Sequence, residues 1–208
     1  MEILNSIKEH LIAGNADEMV KLTNKALDTG LNVQQILNDG LIDGMTVVGE
    51  RFKEGLFFIP EVLMAARAMT KGLDILDPLL TKEGVKYRGT LLIGTIQGDL
   101  HDIGKNLAAI LFRGAGFKIV DLGSNVAAEK FIAGAKEHNP DIIGISSLLV
   151  STMINMEAVI NGLRENEILT PVIVGGAPLT QEFANSINAN IYASSASDGV
   201  EKALAALF

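Results

Sequence analysis

From residue 90 to the end of the chain, short apolar runs alternate with segments whose apolar residues recur at helical spacing. This alternation restricts the fold more than any other feature, because strands separated by helices pair in parallel and need helices on both faces of the sheet. It predicts a five-stranded parallel sheet with the doubly wound architecture of Rossmann-like and flavodoxin-like folds. The predicted strands are residues 90–95, 118–121, 141–146, 172–175 and 191–193, and the predicted helices are residues 103–113, 128–138, 152–165, 179–185 and 199–207.

The first 80 residues have a different pattern, in which only the helical period of apolar residues is present. Four apolar stripes with short links between them predict a four-helix bundle, with Pro60 in the first turn of the fourth helix. The polar segment 81–86 is predicted to be a linker between a helical domain of residues 1–84 and an α/β domain of residues 85–208. The four stripes are Ile3, Leu4, Ile7 and Leu11; Val20, Thr23, Ala26 and Leu27; Val33, Leu37, Leu41, Met45 and Val48; and Leu63, Ala66, Met69, Leu73 and Leu76.

The composition of the chain argues against several functions. Its 208 residues carry a formal net charge of −8, which disfavours nucleic acid or an anionic membrane surface as a partner. The chain has no cysteine, so disulfides, thiolate metal sites and cysteine nucleophiles are excluded. Its longest apolar stretch, residues 142–150, is too short to span a bilayer, and residues 1–5 lack the basic and apolar parts of a signal peptide. We therefore expect a cytoplasmic protein.

One short loop of the predicted α/β domain contains a candidate metal-binding histidine. The segment 98–106 reads Gly-Asp-Leu-His-Asp-Ile-Gly-Lys-Asn and lies between the first predicted strand and the helix that follows it. His101 is one of only three histidines, and Asp99 precedes it by two residues. A carboxylate that accepts one ring N–H fixes the tautomer of the imidazole and leaves the other nitrogen for a metal. The alternative is a solvated loop histidine, with Asp99 and Asp102 serving as caps of the helix.

Two further motifs follow at the ends of later predicted strands. Forty-one residues separate Gly104 from Ser146 in the run Ser-Ser-Leu, and 26 residues separate Leu148 from the pair Gly175-Gly176. In these residues and spacings, together with Asp-x-His-x-x-Gly, the chain resembles the cobalamin-binding signature of corrinoid proteins. That signature is written D-x-H-x-x-G, S-x-L and G-G. The three-part match in register is far more specific than any one of its parts.

The segment 48–62 also resembles the helical cap that precedes the cobalamin-binding domain in methyl-transferring corrinoid proteins. The resemblance therefore covers nearly the whole chain. It is a resemblance to a stand-alone corrinoid protein of a cobalamin-dependent methyltransferase system, and it extends to the cobalamin module of methionine synthase. The implied cofactor is cobalamin or a related corrinoid, used as cob(I)alamin and methylcob(III)alamin.

The resemblance implies roles for individual residues. His101 would be the lower axial ligand of cobalt in place of the dimethylbenzimidazole tail, Asp99 would bond the far imidazole nitrogen, and Thr152 would continue this relay with its hydroxyl. A threonine common in the family two residues after the S-x-L leucine is Val150 here. The other implied cofactor contacts are Gly98, Leu100, Asp102, Ile103 and Gly104 around the histidine, Ser146 and Leu148 along the tail, Gly175 and Gly176 where the tail passes the backbone, Ala196 at the nucleotide end, and Phe52, Ile59 and Asp39 in the cap.

The implied function is that of a methyl carrier. A substrate-specific methyltransferase would load the methyl group from methanol, a methylamine, a quaternary amine or a methoxylated aromatic donor. A second methyltransferase would pass it to a tetrahydrofolate or thiol acceptor, and a reductive activation protein is the third implied partner. The chain would then be a subunit of a multi-component methyltransferase rather than a stand-alone catalyst.

Three other functions are alternatives: the small cobalamin-binding subunit of an adenosylcobalamin-dependent mutase, a cobalamin-sensing regulatory module, and nucleotide or flavin binding. The mutase subunit shares the α/β domain but usually lacks the helical cap. The regulatory module would need a basic DNA-binding domain, and this chain is acidic. Nucleotide binding is disfavoured because the loop after the first predicted strand has no G-x-G-x-x-G pattern.

Overall fold

The computed structural model describes residues 2–83 and 87–207, apart from the side chains of Thr81 and Glu83. Part of the predicted linker, residues 84–86, therefore lies outside the described residues. The boundary between the two predicted domains falls on the same residues and stays a prediction.

The chain divides into two compact units, one helical and one built around a sheet. Among the described residues, no helix is both long enough and apolar enough to cross a membrane. The helical unit comprises Met1–Tyr87 and Gly114–Gly116, and the sheet unit comprises Arg88–Arg113 and Phe117–Phe208.

Within the described residues, four helices form the helical unit, as the apolar stripes predict. The third of them is continuous but changes its hydrogen-bonding pattern, because a π-helical segment separates two α-helical parts. The helices are α1 (Glu2–Ile12), α2 (Ala16–Asp28), the third helix made of α3 (Val33–Gln35), the π-helical segment (Ile36–Ile42) and α4 (Asp43–Lys53), and α5 (Ile59–Glu83).

The buried faces of these helices agree with the predicted stripes in two cases and differ in two. In α1 and in the third helix the predicted residues are buried, except that Ile3 is only half buried. In α2 the predicted Val20 is exposed and Met19 is buried, and in α5 the predicted Leu63 is exposed and Val62 is buried. Both errors are shifts by one residue, because each helix has apolar residues on two adjacent rows and only packing decides which row faces the core.

The predicted linker begins too early. Helix α5 continues to Glu83, so the prediction is wrong for residues 81–83. The physical reason is that Leu80 continues the buried row of Leu73 and Leu76 by one more turn. A polar sequence at the end of a helix does not end it while its apolar row still has a core to cover.

The described residues of the sheet unit form five parallel strands, in which the second strand along the chain lies at one edge and is followed by the first, third, fourth and fifth. This order confirms the predicted flavodoxin-like, doubly wound sheet. The strands are β1 (Gly89–Thr95), β2 (Phe117–Asp121), β3 (Ile142–Ser146), β4 (Val172–Gly175) and β5 (Ile191–Ala193), and the helices are α6 (Ile103–Gly114), α7 (Ala128–His138), α8 (Val150–Met153), α9 (Met156–Glu165), α10 (Gln181–Ser186) and α11 (Ala196–Leu207).

The predicted element bounds differ from these by at most three residues, apart from one break. The helix predicted over residues 152–165 is two helices, because the chain turns at Ile154 and Asn155 between α8 and α9. The central strands β1 and β3 are buried on both faces, as strands with helices on both sides must be. Phe131 of α7 and Met156 of α9 are fully buried in the core that covers one face.

The strand order predicts a ligand-binding crevice at the carboxyl edge of the sheet, between the loops that follow β1 and β3. The strand Gly89–Thr95 lies beside Ile142–Ser146, with Thr95 paired with Ser146. The chain continues from the first of them to β2 and from the second to β4, and these next strands lie in opposite directions along the strand order. The loops that follow such a pair of strands diverge and leave a crevice, which is where doubly wound folds bind their ligands. The predicted motifs of residues 98–104 and 146–148 follow these two strands.

Candidate functional site

The side chain of Asp99 is the centre of the site. It lies in the loop after β1 and is fully buried. Its Oδ1 atom accepts hydrogen bonds from the backbone N–H of His101 at 3.0 Å and from the ring Nδ1 of His101 at 2.7 Å. Because Nδ1 acts as a donor, Nε2 is the nitrogen that can bind a metal. The imidazole is 52% exposed, so a buried carboxylate presents an accessible histidine.

The second oxygen of Asp99 joins this loop to the loop after β3. Oδ2 accepts hydrogen bonds from the backbone N–H groups of Leu148 at 2.7 Å and Leu149 at 3.3 Å. The hydroxyls of Ser147 and Thr152 lie 3.1 and 3.2 Å from the same oxygen and donate to it. The Asp99 carboxylate therefore links the two loops that flank the crevice through hydrogen bonds.

The environment of Asp99 keeps it ionised. Burial alone would raise the pKa of its carboxyl. The hydrogen bonds from the backbone N–H groups of His101 and Leu148, from the His101 ring and from the Ser147 hydroxyl outweigh burial and hold this pKa well below its ordinary value. An ionised Asp99 can only accept hydrogen bonds, which keeps the proton of the neutral imidazole on Nδ1.

Two hydroxyls share the space behind Asp99. The Oγ of Ser147 and the Oγ1 of Thr152 lie 2.9 Å apart, and each also lies within 3.2 Å of the carbonyl oxygen of Leu149. The predicted relay residue, Thr152, is thus in contact with Asp99, and Ser147 is a second hydroxyl that the sequence reasoning missed. The available signal was a serine directly after a buried strand, in the middle of the Ser-Ser-Leu run.

Gly176 serves the packing of the chain itself. Its φ is +141°, and a Cβ at this position would lie 1.8 Å from the carbonyl oxygen of Ser147. The backbone N–H of Ser147 also donates to the carbonyl of Gly175 at 3.2 Å. A side chain at residue 176 would push the Ser147 loop away from Asp99. The contact of Gly175 and Gly176 with a cofactor tail stays a prediction.

The residues next to His101 form an apolar, accessible rim. Leu100 is 73% exposed and Ile103 is 72% exposed, and a Cβ on Gly104 would meet no atom within 4 Å. Large apolar side chains at such exposure form a surface suited to a flat apolar ligand. The remaining predicted contacts of this unit are Gly98, which has φ +86°, the half-buried Asp102, Ser146 and Ala196, and the exposed Leu148.

The predicted contacts in the cap belong to the helical unit. Asp39 is exposed in the π-helical segment, Phe52 is half buried in α4, and Ile59 is exposed at the start of α5. Their approach to a cofactor stays a prediction.

The donor set at the site suits a metal that brings most of its own ligands. Among the described residues, no group of three or more His, Asp or Glu side chains converges in a way that could hold a metal ion. A protein-bound zinc or iron ion needs several protein ligands, whereas one accessible histidine suffices when a macrocycle supplies the four equatorial nitrogens. The apolar rim of Leu100 and Ile103 matches the face of such a macrocycle. Fold and site together define a doubly wound protein with one accessible histidine, held by a buried carboxylate, at the carboxyl edge of its sheet.

Comparison with known proteins identifies the cofactor. Residues 3–77 and residues 89–203 match two family models, each described as a B12 binding domain. A corrinoid protein of Desulfitobacterium hafniense is 41% identical over 98% of this chain and 96% of its own length. Trimethylamine corrinoid protein 2 of Methanosarcina acetivorans is 41% identical over 99% of this chain and 97% of its own length.

Solved structures agree with these matches. A chain in the crystal structure of the methanol:cobalamin methyltransferase complex MtaBC from Methanosarcina barkeri superposes with a TM-score of 0.91 at 31% identity, over 99% of this chain and 80% of that one. A cobalamin-binding protein from D. hafniense superposes with a TM-score of 0.77 at 27% identity, over 97% of both chains. The chain belongs to the B12-binding family of corrinoid proteins. The family and the corrinoid cofactor predicted from the sequence are confirmed.

Proposed function

We propose that this corrinoid protein carries methyl groups between two partner methyltransferases. The observation that carries the proposal is the pair of Asp99 and His101, in which Nδ1 is held at 2.7 Å and Nε2 is left for cobalt. Bound cobalamin supplies a cobalt centre that accepts and releases a methyl group, and the protein orients and tunes it.

The residues of the chain have separate tasks in this proposal. Nε2 of His101 would be the protein ligand of the bound cobalt. Asp99 holds the proton on Nδ1 and so raises the basicity of the ligand. The hydroxyls of Ser147 and Thr152 and the N–H of Leu148 balance the buried negative charge of Asp99. A ring held in one orientation by Asp99 would present Nε2 to bound cobalt in the same place each time.

The partners follow from the relatives. Relatives are named for trimethylamine and dimethylamine, and the MtaBC structure is that of a methanol:cobalamin methyltransferase complex. We propose a small N-methyl or O-methyl compound as the donor, selected by the first partner and not by this chain. Because cobalt must be kept reduced for methyl transfer, we place the protein in the reducing cytoplasm.

The carrier is favoured over the alternatives by the helical unit. A B12 binding domain match spans residues 3–77 as well as the α/β residues 89–203. The small subunit of an adenosylcobalamin-dependent mutase would need only the second. The carrier is also supported by the corrinoid relatives, which are matched over 96% and 97% of their own length. As part of this proposal, Phe52, Ile59 and Asp39 of the helical unit would contact the bound cofactor.

Reconstitution tests the proposal. The purified protein incubated with cobalamin is expected to show the absorbance and EPR spectra of histidine-ligated cobalt with the tail detached. His101→Ala should lose this signature and keep part of the cofactor. His138→Ala is the matched control, because His138 ends α7 just before β3 begins, at the opposite edge of the sheet. Absence of cobalamin binding at micromolar concentrations, or an unchanged spectrum in His101→Ala, would contradict the proposal.

Methyl transfer distinguishes the carrier from the mutase subunit. The cobalamin-loaded protein is offered to a trimethylamine-specific and to a methanol-specific methyltransferase, each with its own methylated substrate. Methylation of the bound cofactor by one of them is the expected result. Tight binding of adenosylcobalamin with no methylation by either enzyme would favour the hypothesis that the chain is a mutase subunit.

A further inference from the structure

The loop that carries His101 is held from two sides, and one of them lies outside the predicted motifs. On one side, the Asp99 carboxylate is bonded to the loop after β3, as described above. On the other side, the loop after β2 runs alongside it, with an isolated parallel bridge between Ile96 and Val126. The residue at the contact point of this second side is Asn125.

Asn125 bonds two successive residues of the histidine loop. Its backbone N–H donates to the carbonyl oxygen of Asp99 at 2.9 Å. Its side-chain Oδ1 accepts from the backbone N–H of Gly98 at 2.8 Å. The peptide units 97–98 and 99–100, which bracket Gly98 and Asp99, are therefore both bonded to one residue of another loop.

The backbone of Asn125 makes this double contact possible. Its φ is +55°, a left-handed conformation that asparagine tolerates better than other residues with a side chain. Gly98 has a φ of +86°, so both ends of the Gly98–Asn125 contact adopt the left-handed conformation. Neither the cobalamin-binding signature nor the family comparison assigns a role to Asn125.

We propose that Asn125 is a positioning residue that sets the orientation of the His101 imidazole through Asp99. The inference rests on the proposed function of His101 as the cobalt ligand. Asp99 is held by its carboxylate from the side of β3 and by its main chain from the side of β2. Oδ1 of Asp99 orients the imidazole of His101 through its hydrogen bond with Nδ1. If the main chain of Asp99 becomes more mobile, the ring and its Nε2 atom become more mobile with it.

Asn125 contributes a side-chain acceptor, Oδ1, and a left-handed backbone conformation. Three substitutions separate these two contributions. Asn125→Gly keeps the left-handed backbone without strain and removes only the Oδ1 acceptor. Asn125→Asp keeps an acceptor at the same place, and Asn125→Ala loses the acceptor and strains the backbone. Asn139→Gly is the matched control, because Asn139 has a φ of +43° at the end of α7, and its cap contact is a backbone N–H bond to Ala135.

Two measurements report on the role. The first is the fraction of histidine-ligated cobalt in the cobalamin-loaded full chain, from absorbance and EPR spectra. The second is the exchange rate of the Gly98 amide in the apoprotein, from NMR. The loss of one hydrogen bond of ordinary net strength corresponds to a change of roughly twofold to tenfold in each.

The expected result is a twofold to tenfold lower ratio of ligated to unligated cobalt in Asn125→Gly, faster Gly98 exchange, near-normal values in Asn125→Asp, and no change in Asn139→Gly. Asn125→Ala should be at least as impaired as Asn125→Gly. A wild-type ligation ratio in Asn125→Gly would overturn the inference, as would failure of Asn125→Asp to rescue it. If the unsubstituted protein itself lacks histidine-ligated cobalt, the proposed function fails and with it the role of Asn125 toward a ligand, while Gly98 exchange still reports whether the contact exists.

Discussion

The carbonyl oxygen of Ser147 occupies the place where Gly176 would carry a Cβ, 1.8 Å from the ideal position of that atom. The loop after β3 and the loop after β4 therefore touch through their backbones. This contact holds the segment whose Ser147 hydroxyl and Leu148 N–H bond Asp99. Gly176, although far from Asp99 in the sequence, thus helps to hold the loop that bonds Asp99 and, through it, the candidate ligand His101.

Gly176→Ala is expected to destabilise the protein strongly. Its φ of +141° is a conformation that residues with a Cβ rarely adopt, and the clash with Ser147 cannot be relieved by rotating a side chain. Strain and backbone displacement together should lower the free energy of unfolding by about 3 kcal/mol or more. Urea denaturation of the apoprotein measures this change.

The control for this substitution is Gly123→Ala. Gly123 has a φ of +87°, but a Cβ there would meet no atom within 4 Å, so only the left-handed backbone is penalised, by about 1 kcal/mol. Equal losses in the two variants would show that the contact between Ser147 and Gly176 contributes nothing.

Asp99→Asn should weaken both the fold and the ligand site. The substitution preserves the shape of the side chain but removes the negative charge, and its amide NH₂ would face N–H and O–H donors. We expect the free energy of unfolding of the apoprotein to fall by about 2–4 kcal/mol and the histidine-ligated fraction of the loaded protein to decrease. Denaturation curves and cobalt spectra measure the two effects.

Asp102→Asn is the comparison, because Asp102 is only half buried and lies in the same loop. Its effect on stability should stay within about 0.5 kcal/mol. A loss in Asp102→Asn as large as in Asp99→Asn would assign the effect to general disturbance of the loop and not to the buried carboxylate.

The hydroxyls of Ser147 and Thr152 should behave as partial substitutes for each other. Each can donate to Oδ2 of Asp99 or to the carbonyl of Leu149, so either single substitution leaves one donor in place. Ser147→Ala combined with Thr152→Val removes both. The double variant should therefore lose more stability than the sum of the single variants, by about 0.5–1.5 kcal/mol.

Four apoproteins, compared by urea denaturation, complete this double-mutant cycle. Ser151→Ala tests the background, because Ser151 is exposed in α8. Strict additivity of Ser147→Ala and Thr152→Val would mean that the two hydroxyls do not share an acceptor.

The start of α11 should make a pH-dependent contribution to stability through Asp198. Burial would raise the pKa of its carboxyl, but hydrogen bonds from Lys202 and from the backbone and hydroxyl of Ser194 outweigh burial and lower this pKa. A pKa that is lower in the folded state stabilises the fold above the unfolded pKa, which is about 3.9. This contribution is lost as the pH falls through the folded value.

Asp198→Asn measures that contribution. The difference in unfolding free energy between the unsubstituted protein and Asp198→Asn should be about 1–2 kcal/mol near neutral pH, constant down to about pH 5, and smaller below about pH 4. Glu165→Gln, at the exposed end of α9, should give a small difference at every pH. A difference for Asp198 that grows as the pH falls would have the wrong sign for this explanation.

The sequence predicted most of the fold because most of the fold is written in local patterns. Alternation of strands and helices leaves few topologies for the sheet, and the bounds of β4 and β5 agree with the prediction. The errors lie where packing chooses between two apolar rows, as at Val20 and Leu63. The linker error at residues 81–83 has the same cause, since a buried Leu80 keeps the last turn of α5 helical.

What the sequence by itself determined at the site is the pair of Asp99 and His101. The two residues are separated by two positions, so a local turn is enough to bring Oδ1 to the ring. The hydroxyl of Thr152, 53 positions from Asp99, is implied by the family resemblance and not by a local pattern. What only the tertiary structure decided is the rest of what holds this pair. Ser147 comes from 48 positions away, and the side chain of Asn125 reaches Gly98 across 27 positions. These partners meet because strand order places β1 beside both β2 and β3, and a residue pattern along the chain carries no record of which loops become neighbours.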